Sequence, residues 1–188
     1  ATHECDIMDF DYKQYSKDEF DIVWGSPPCT AYSNLQSGWL GRKKGNGILF
    51  TKEVMEKDMD EADKLASKTF EIIKYFNPHW WFVENPQTGK LKNREIMKNI
   101  PFYDCDYCMF SDWGYKKRTR IWTNKEGWAP SARVCDGSGA CGNMIKKKHK
   151  KNVANDVHSV KYNKKNYGTN KLDRYRIPED LIFSLFLD

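Results

Sequence analysis

FDIVWGSPPC, residues 20–29, is a short apolar run that stops at a glycine, a serine and two prolines and then presents a cysteine. Phe20 to Trp24 has the pattern of a buried parallel strand, and Gly25-Ser26-Pro27-Pro28 is the turn that ends it. Cys29 is therefore expected at a strand's carboxyl end, the edge at which open α/β sheets bind ligands. C-terminal to it, from Asp58 to Phe76, Met59, Ala62, Leu65, Phe70, Ile73 and Phe76 recur at helical spacing, with Asp58, Asp60 and Glu61 in the expected first turn and Asn77-Pro78 as the stop. His79 to Val83 (HWWFV) reads as a second buried strand, and Glu84-Asn85-Pro86 follows it as Pro27-Pro28-Cys29 follows the first. Strand, helix and strand make a right-handed crossover unit.

Further along, Lys92 to Asn99 reads as a short helix, and Tyr103 to Phe110 with Thr119 to Thr123 as two strands around Trp113-Gly114-Tyr115. The stretch from 129 to 172 reads as long loops, and Pro178 to Leu187 as a closing helix. The expected fold class is α/β, a mostly parallel sheet flanked by helices with a loop-rich basic C-terminal region. Expected domains are a core over 1–128, a basic region over 129–173 and a C-terminal helical segment over 174–188 that packs on the core.

A chain of 188 residues holds one domain with a real core. Seven Trp, ten Tyr and ten Phe must supply much of that core. The net charge of +5 is concentrated late, in KKKHKK from Lys146 to Lys151 and in the lysines that follow to Lys171. Such a run either tracks phosphates or is a solvated loop. No stretch approaches the roughly 20 apolar residues of a membrane helix, and the N-terminus lacks a signal peptide's order. Six cysteines without a disulfide-scaffold spacing fit a reducing, cytoplasmic compartment. The start at Ala1, close to a strand, reads as a fragment or processed form.

Cys29 could be a nucleophile or a buried, inert thiol. The rigid Pro27-Pro28 approach and the polar Thr30-Ala31-Tyr32-Ser33 continuation favour the first. Glu84, after five apolar residues, either faces a site or pairs with a cation such as Arg118. Arg118 and Arg120 alternate with Thr119 and Ile121, so both point to one side of a strand, in a site or in surface ion pairs.

Pro27-Pro28-Cys29 with Ser33, Glu84-Asn85-Pro86 and Lys116-Lys117-Arg118-Thr119-Arg120-Ile121 together resemble the catalytic loop, the Glu-Asn motif and the Gln-x-Arg-x-Arg motif of the DNA cytosine-5 methyltransferases. The similarity is closest to short phage-type or viral members and covers most of residues 4 to 124, with a tail at Arg174-Tyr175-Arg176-Ile177-Pro178. It implies a partial Rossmann-like S-adenosylmethionine-dependent methyltransferase fold. It further implies a nucleophilic Cys29, with Glu84 on the base and Arg120 and Arg118 on the O2 side and the loop. Asp6, Ile7 and Pro27 would contact the cofactor, and Ser33, Asn85, Lys146, Lys147 and Lys148 would contact double-stranded DNA. Bacterial or virus-infected host cells are the expected setting.

The sequence departs from the family pattern in three places. No glycine-rich Phe-x-Gly-x-Gly turn precedes Cys29, so the first βαβ portion is expected to come from a missing N-terminal segment or a subunit. Gly142-Asn143-Met144 is a displaced echo of a Gly-Asn-x-Val segment, and Lys116 stands where Gln is usual. A DNA-binding remnant or one subunit of a split enzyme is therefore the alternative reading. Cys105-x-x-Cys108 and Cys135-x5-Cys141 with His149 offer zinc ligands in number, but the first pair is expected in a strand, where a metal knuckle needs a turn, so no metal is assigned.

Overall fold

The computed structural model describes residues 3–45, 47–128, 133–153, 169 and 171–187. It is a mixed α/β structure whose main sheet joins β1 (Ile22–Gly25), β2 (Trp80–Pro86), β3 (Phe102–Asp106) and β4 (Arg118–Thr123) in the order β1-β2-β4-β3. The chain divides into two compact units. The first is Ala1–Phe102 with Ile121–Lys125, and the second is Tyr103–Arg120 with Glu126–Asp188.

The first unit is built on a strand, helix and strand. Strands β1 and β2 pair in parallel, Ile22 against Trp80 through Gly25 against Val83. Helix α1 (Lys52–Phe76) connects them. It starts earlier than the expected Asp58, because the Thr51 side chain caps it by accepting from the Val54 N–H at 3.3 Å. Val54 and Met55 already keep the helical period, but among charged neighbours they read equally as loop. Asn77 ends the helix in the left-handed conformation at φ 47°, its N–H donating to Ile73 O. The buried face of α1, including Met59, Ala62, Ala66 and Ile73, meets Tyr32, Val83, Leu91, Met97 and Trp122 in the main core cluster. Strand β1 is half-buried rather than fully buried as expected, because it ends the strand order and has only β2 beside it. In place of the expected helix over 92–99 are two 3-10 turns, Leu91–Asn93 and Glu95–Met97, with Leu91 and Met97 in the core.

Close packing between α1 and β1 depends on Gly25. A Cβ there would lie 2.4 Å from Thr69 Cγ2, on a β-branched side chain held in the helix by an Oγ1–H donation to Leu65 O at 3.1 Å. Gly25→Ala is expected to cost about 1–3 kcal/mol of stability, read as a lower denaturant midpoint at unchanged slope. Adding Thr69→Ser removes Cγ2 while keeping the hydroxyl, and should restore most of the loss.

In the second unit the expected strand from Tyr103 to Phe110 ends at Asp106, and Tyr107–Met109 form a 3-10 turn. The stretch read as continuous loop contains a hairpin, β5 (Met144–Ile145) antiparallel to β6 (Lys148–His149). Strands of two residues leave no alternation for a sequence reading to detect. Residues 154–168 of the expected basic region lie outside the described residues. Two helices follow, α2 (Lys171–Tyr175) and α3 (Glu179–Leu187). Tyr115 donates its hydroxyl to Asp173 O at 2.7 Å, and Trp128 Nε1 donates to Ser184 Oγ at 3.0 Å, fixing both helices to the unit's aromatic residues.

Candidate active site

The parallel register sets the geometry around Cys29 and Glu84. Gly25 and Val83 are partners, so the chain leaves β1 toward Cys29 at the sheet edge where β2 presents Glu84. Glu84-Asn85-Pro86 does not follow the strand, as expected from sequence, but forms its last three residues. One side-chain bond joins the two segments directly: Asn85 Nδ2 donates to Pro27 O at 2.8 Å in a buried position.

The cysteine loop is braced along its length. Ser33 N–H donates to Thr30 O at 3.2 Å, and Gln36 Nε2 reaches the same carbonyl at 3.1 Å. Ser33 Oγ accepts from Leu35 N–H at 3.3 Å, capping the 3-10 helix Asn34–Trp39, and Asn34 Nδ2 donates to Thr88 O at 2.6 Å. Lys90 N–H donates to Tyr32 O at 2.8 Å. Tyr32 is fully buried, and its hydroxyl donates to Asp63 on α1 at 2.8 Å. Burial, then the bond to Asp63, pushes the Tyr32 phenol well above its ordinary value, so it remains a neutral donor. Asp63 also accepts from Arg94 Nε at 2.8 Å, and the same guanidinium meets Asp60 and Glu56. The sequence reading missed this brace. Its signal was available in Glu56, Asp60 and Asp63, an acidic stripe at helical spacing that calls for a cation.

Cys29 is half-buried and in no disulfide, between a buried Pro27 and an exposed Thr30. Glu84 is 7% exposed. Asn85 is buried, and its Oδ1 has no hydrogen-bond partner; among the described residues Thr119 Oγ1 shares that condition. Each such orphan costs about 1–3 kcal/mol. Both fall inside the motifs singled out from sequence, Glu-Asn-Pro and Arg-Thr-Arg, and unsatisfied groups of this kind call for a role beyond packing. Asn85→Ala removes the tie to Pro27. We expect kcat to fall about 10- to 100-fold as the loop loses its position, with a smaller change in KM, measured by steady-state kinetics.

Beside the carboxyl end of β1 lies a cleft of about 410 Å³, whose walls include Ile7, Phe10, Trp24, Pro27, Leu65 and Ile72. Ile7 and Pro27 thus share one cavity. Asp6 does not line it; its Oδ1 accepts from Met8 N–H at 2.8 Å. Apolar walls of this kind suit a purine ring. Among the described residues no Asp, Glu, Lys, Arg or His lines the cleft, so it can take a flat apolar group and offers no charged partner.

Within the second unit, Arg118 is exposed, while Arg120 is held by Asp104 in a two-point pair, Nε to Oδ1 at 2.7 Å and Nη2 to Oδ2 at 2.8 Å. Such a fork fixes the guanidinium plane. Thr119 between them is fully buried, which confirms the alternation read from sequence. Lys116 Nζ meets Asp106 Oδ2 at 3.1 Å and donates to Cys135 O at 2.6 Å. Lys146, Lys147 and Lys148 are exposed at the tip of the β5–β6 hairpin, where Lys146 takes φ 57°.

The parallel strands β1 and β2 bring the segment that leads to Cys29 and the buried Glu84 to one edge of an α/β sheet, the edge at which such sheets bind ligands. The sequence model of the C-5 cytosine-specific DNA methylases matches residues 1–125. A probable DNA (cytosine-5)-methyltransferase of Frog virus 3 (isolate Goorha) is 36% identical over 186 residues, covering 98% of this chain and 83% of the viral protein. The chain belongs to the C-5 cytosine-specific DNA methylase family, a family of enzymes that generally use S-adenosylmethionine. No helix among the described residues is long and apolar enough to cross a membrane.

Proposed function

We propose that this chain methylates carbon 5 of cytosine in double-stranded DNA through a covalent adduct on Cys29. The observation that carries the reading is the Asn85–Pro27 bond, which ties the cysteine loop to the strand end bearing Glu84. Carbon 5 of cytosine is a poor nucleophile until something adds to carbon 6. The Cys29 thiolate forms a bond to carbon 6, and the C5–C6 π pair becomes available at carbon 5. Glu84 holds N3 and the amino edge, favouring the N3-protonated ring that accepts the attack. Arg120, whose guanidinium plane Asp104 fixes, and Arg118 are assigned to the O2 side of the base by the family resemblance. When bound, S-adenosylmethionine supplies the methyl group that carbon 5 accepts. Loss of the carbon-5 proton to solvent water leaves its bonding pair to re-form the C5–C6 double bond, and the sulfur leaves carbon 6 as thiolate.

The target base must leave the stack, at an unstacking cost of a few kcal/mol. Lys146, Lys147 and Lys148 contact phosphates, and Ser33 and Asn85 shape the loop around the base. Ile7 and Pro27 would wall the adenosine end of the cofactor; Asp6, next to Ile7 in the chain, lies outside that wall, and the methionine end would need partners beyond it. The parallel β1–β2 pair with its connecting helix supports a Rossmann-like, mostly parallel methyltransferase sheet. In this reading 1–128 is the catalytic core, 129–173 the DNA-contacting region and 174–188 the closing segment. The enzyme works in the cytoplasm of a bacterial or virus-infected host cell. The test is incubation of the chain with labelled S-adenosylmethionine and duplex DNA, followed by digestion to nucleosides. Label in 5-methyl-2'-deoxycytidine is the expected product; label in another nucleoside, or none, would count against the reading.

A further inference from the structure

Four side chains of the second unit, used by no step above, converge on one point. Cys108, Cys135, Cys141 and His149 bring their ligand atoms within 4.8 Å of one another. His149 Nε2 lies 3.7 Å from Cys135 Sγ and 3.6 Å from Cys141 Sγ. A tetrahedral zinc ion with sulfur at about 2.3 Å and imidazole nitrogen at about 2.0–2.1 Å requires S···N separations of about 3.5–3.6 Å and S···S separations of about 3.8 Å. Hydrogen bonding alone does not account for the cluster. An imidazole nitrogen has one in-plane position for a partner, and here two sulfurs approach it together. Thiols are also weak donors and acceptors, poor compensation for the burial of Cys108 and Cys135 at 1% and 5% exposure.

The local structure is built to hold this arrangement. Cys108 lies on the 3-10 turn Tyr107–Met109 and not in a strand, which supplies the turn that the sequence reading found lacking. Cys105, within β3, is outside the cluster. Between Cys135 and Cys141 the chain reverses through Gly137 at φ 84° and Gly139 at φ 100°, conformations that favour glycine, so that both sulfurs face one point. His149 is delivered by the β5–β6 hairpin.

Surrounding polar groups fix the backbone of the cysteines. Asn143, 1% exposed, donates through Nδ2 to the carbonyls of Cys108, Ser111 and Cys141 at 2.8, 2.6 and 2.9 Å, and accepts from Gly114 N–H at 2.9 Å. Asp106 Oδ2 accepts from Cys135 N–H at 2.8 Å. The Lys116 ammonium donates to Cys135 O at 2.6 Å while paired with Asp106 Oδ2 at 3.1 Å, which holds the Cys135 backbone from a second side. Outer partners of this kind orient metal ligands.

We propose that Cys108, Cys135, Cys141 and His149 form a structural zinc site that binds the 3-10 turn after β3, the glycine loop and the lysine-tipped hairpin into one body. With four protein ligands and no open position, its role is folding and not catalysis. The full chain, purified without a metal-affinity step from zinc-supplemented culture, should hold about one zinc per chain by elemental analysis. Cobalt exchange should give the intense visible bands of a tetrahedral thiolate site. Cys141→Ser and His149→Ala should lose the metal, and Cys105→Ser should retain it. Wild-type protein that is folded by circular dichroism, free of zinc, and unchanged in melting by added zinc or by a chelator would overturn the proposal. So would zinc retained by Cys141→Ser but lost from Cys105→Ser. Because wild-type metal content needs no variant, misfolding of a substituted chain leaves the test intact.

Discussion

Cys29→Ser is expected to reduce methyl transfer to DNA by at least about 10³-fold, the scale on which loss of a covalent nucleophile acts. A serine hydroxyl at the same position is far from its ionised form at neutral pH and does not add to carbon 6 at a useful rate. The substitution changes one atom of a half-buried side chain in a loop braced by Asn85, Gln36, Asn34 and Lys90. The fold should therefore persist, with far-UV circular dichroism, melting temperature and DNA affinity close to wild type. Collapse of turnover with those quantities preserved separates loss of the nucleophile from loss of the loop. Wild-type turnover by Cys29→Ser would remove the covalent mechanism.

The second large effect is expected at Glu84. Glu84→Gln keeps the shape of the side chain on β2 but removes the carboxylate that holds the N3-protonated base, and should lower kcat about 10²- to 10⁴-fold. Glu84→Asp, which retracts the carboxylate by one methylene, should recover only part of the loss, because hydrogen-bond geometry to the ring is set to within fractions of an ångström. Turnover within about tenfold of wild type for Glu84→Gln, measured on the same duplex, would show that the carboxylate has no part in the chemistry.

The sheet edge that carries Cys29 and Glu84 was legible in the sequence because its parts lie next to strong local signals. Apolar runs ended by Gly25 to Pro28 and by Pro86 mark two strands, and the periodic helix between them leaves a parallel connection as the natural one. The β1–β2 pairing follows that reading. What sequence could not show were interactions made by polar side chains across long separations. Asn85 read as a substrate contact, yet its amide holds Pro27 O. Arg94 gave no signal by itself, yet it gathers Glu56, Asp60 and Asp63 on α1, and Asp63 in turn holds Tyr32 under the cysteine loop. The start of α1 was missed because the Thr51 cap precedes a stretch whose charged residues hide the helical period. The hairpin carrying His149 was missed because its strands are two residues each. The cysteine cluster was discounted because Cys105-x-x-Cys108 reads as strand, whereas the strand stops at Asp106 and frees Cys108 onto a turn.

The central claim is covalent attack by Cys29 on cytosine, and trapping tests it most directly. Duplex DNA carrying 5-fluorocytosine presents a carbon 5 with no proton to lose once methylated, so the bond from sulfur to carbon 6 cannot be released. Incubated with that DNA and S-adenosylmethionine, the chain should form a denaturation-resistant complex whose protease digest places the nucleotide on the peptide containing Cys29. Absence of such a complex from a chain that binds both DNA and cofactor, or an adduct on another cysteine, would contradict the account.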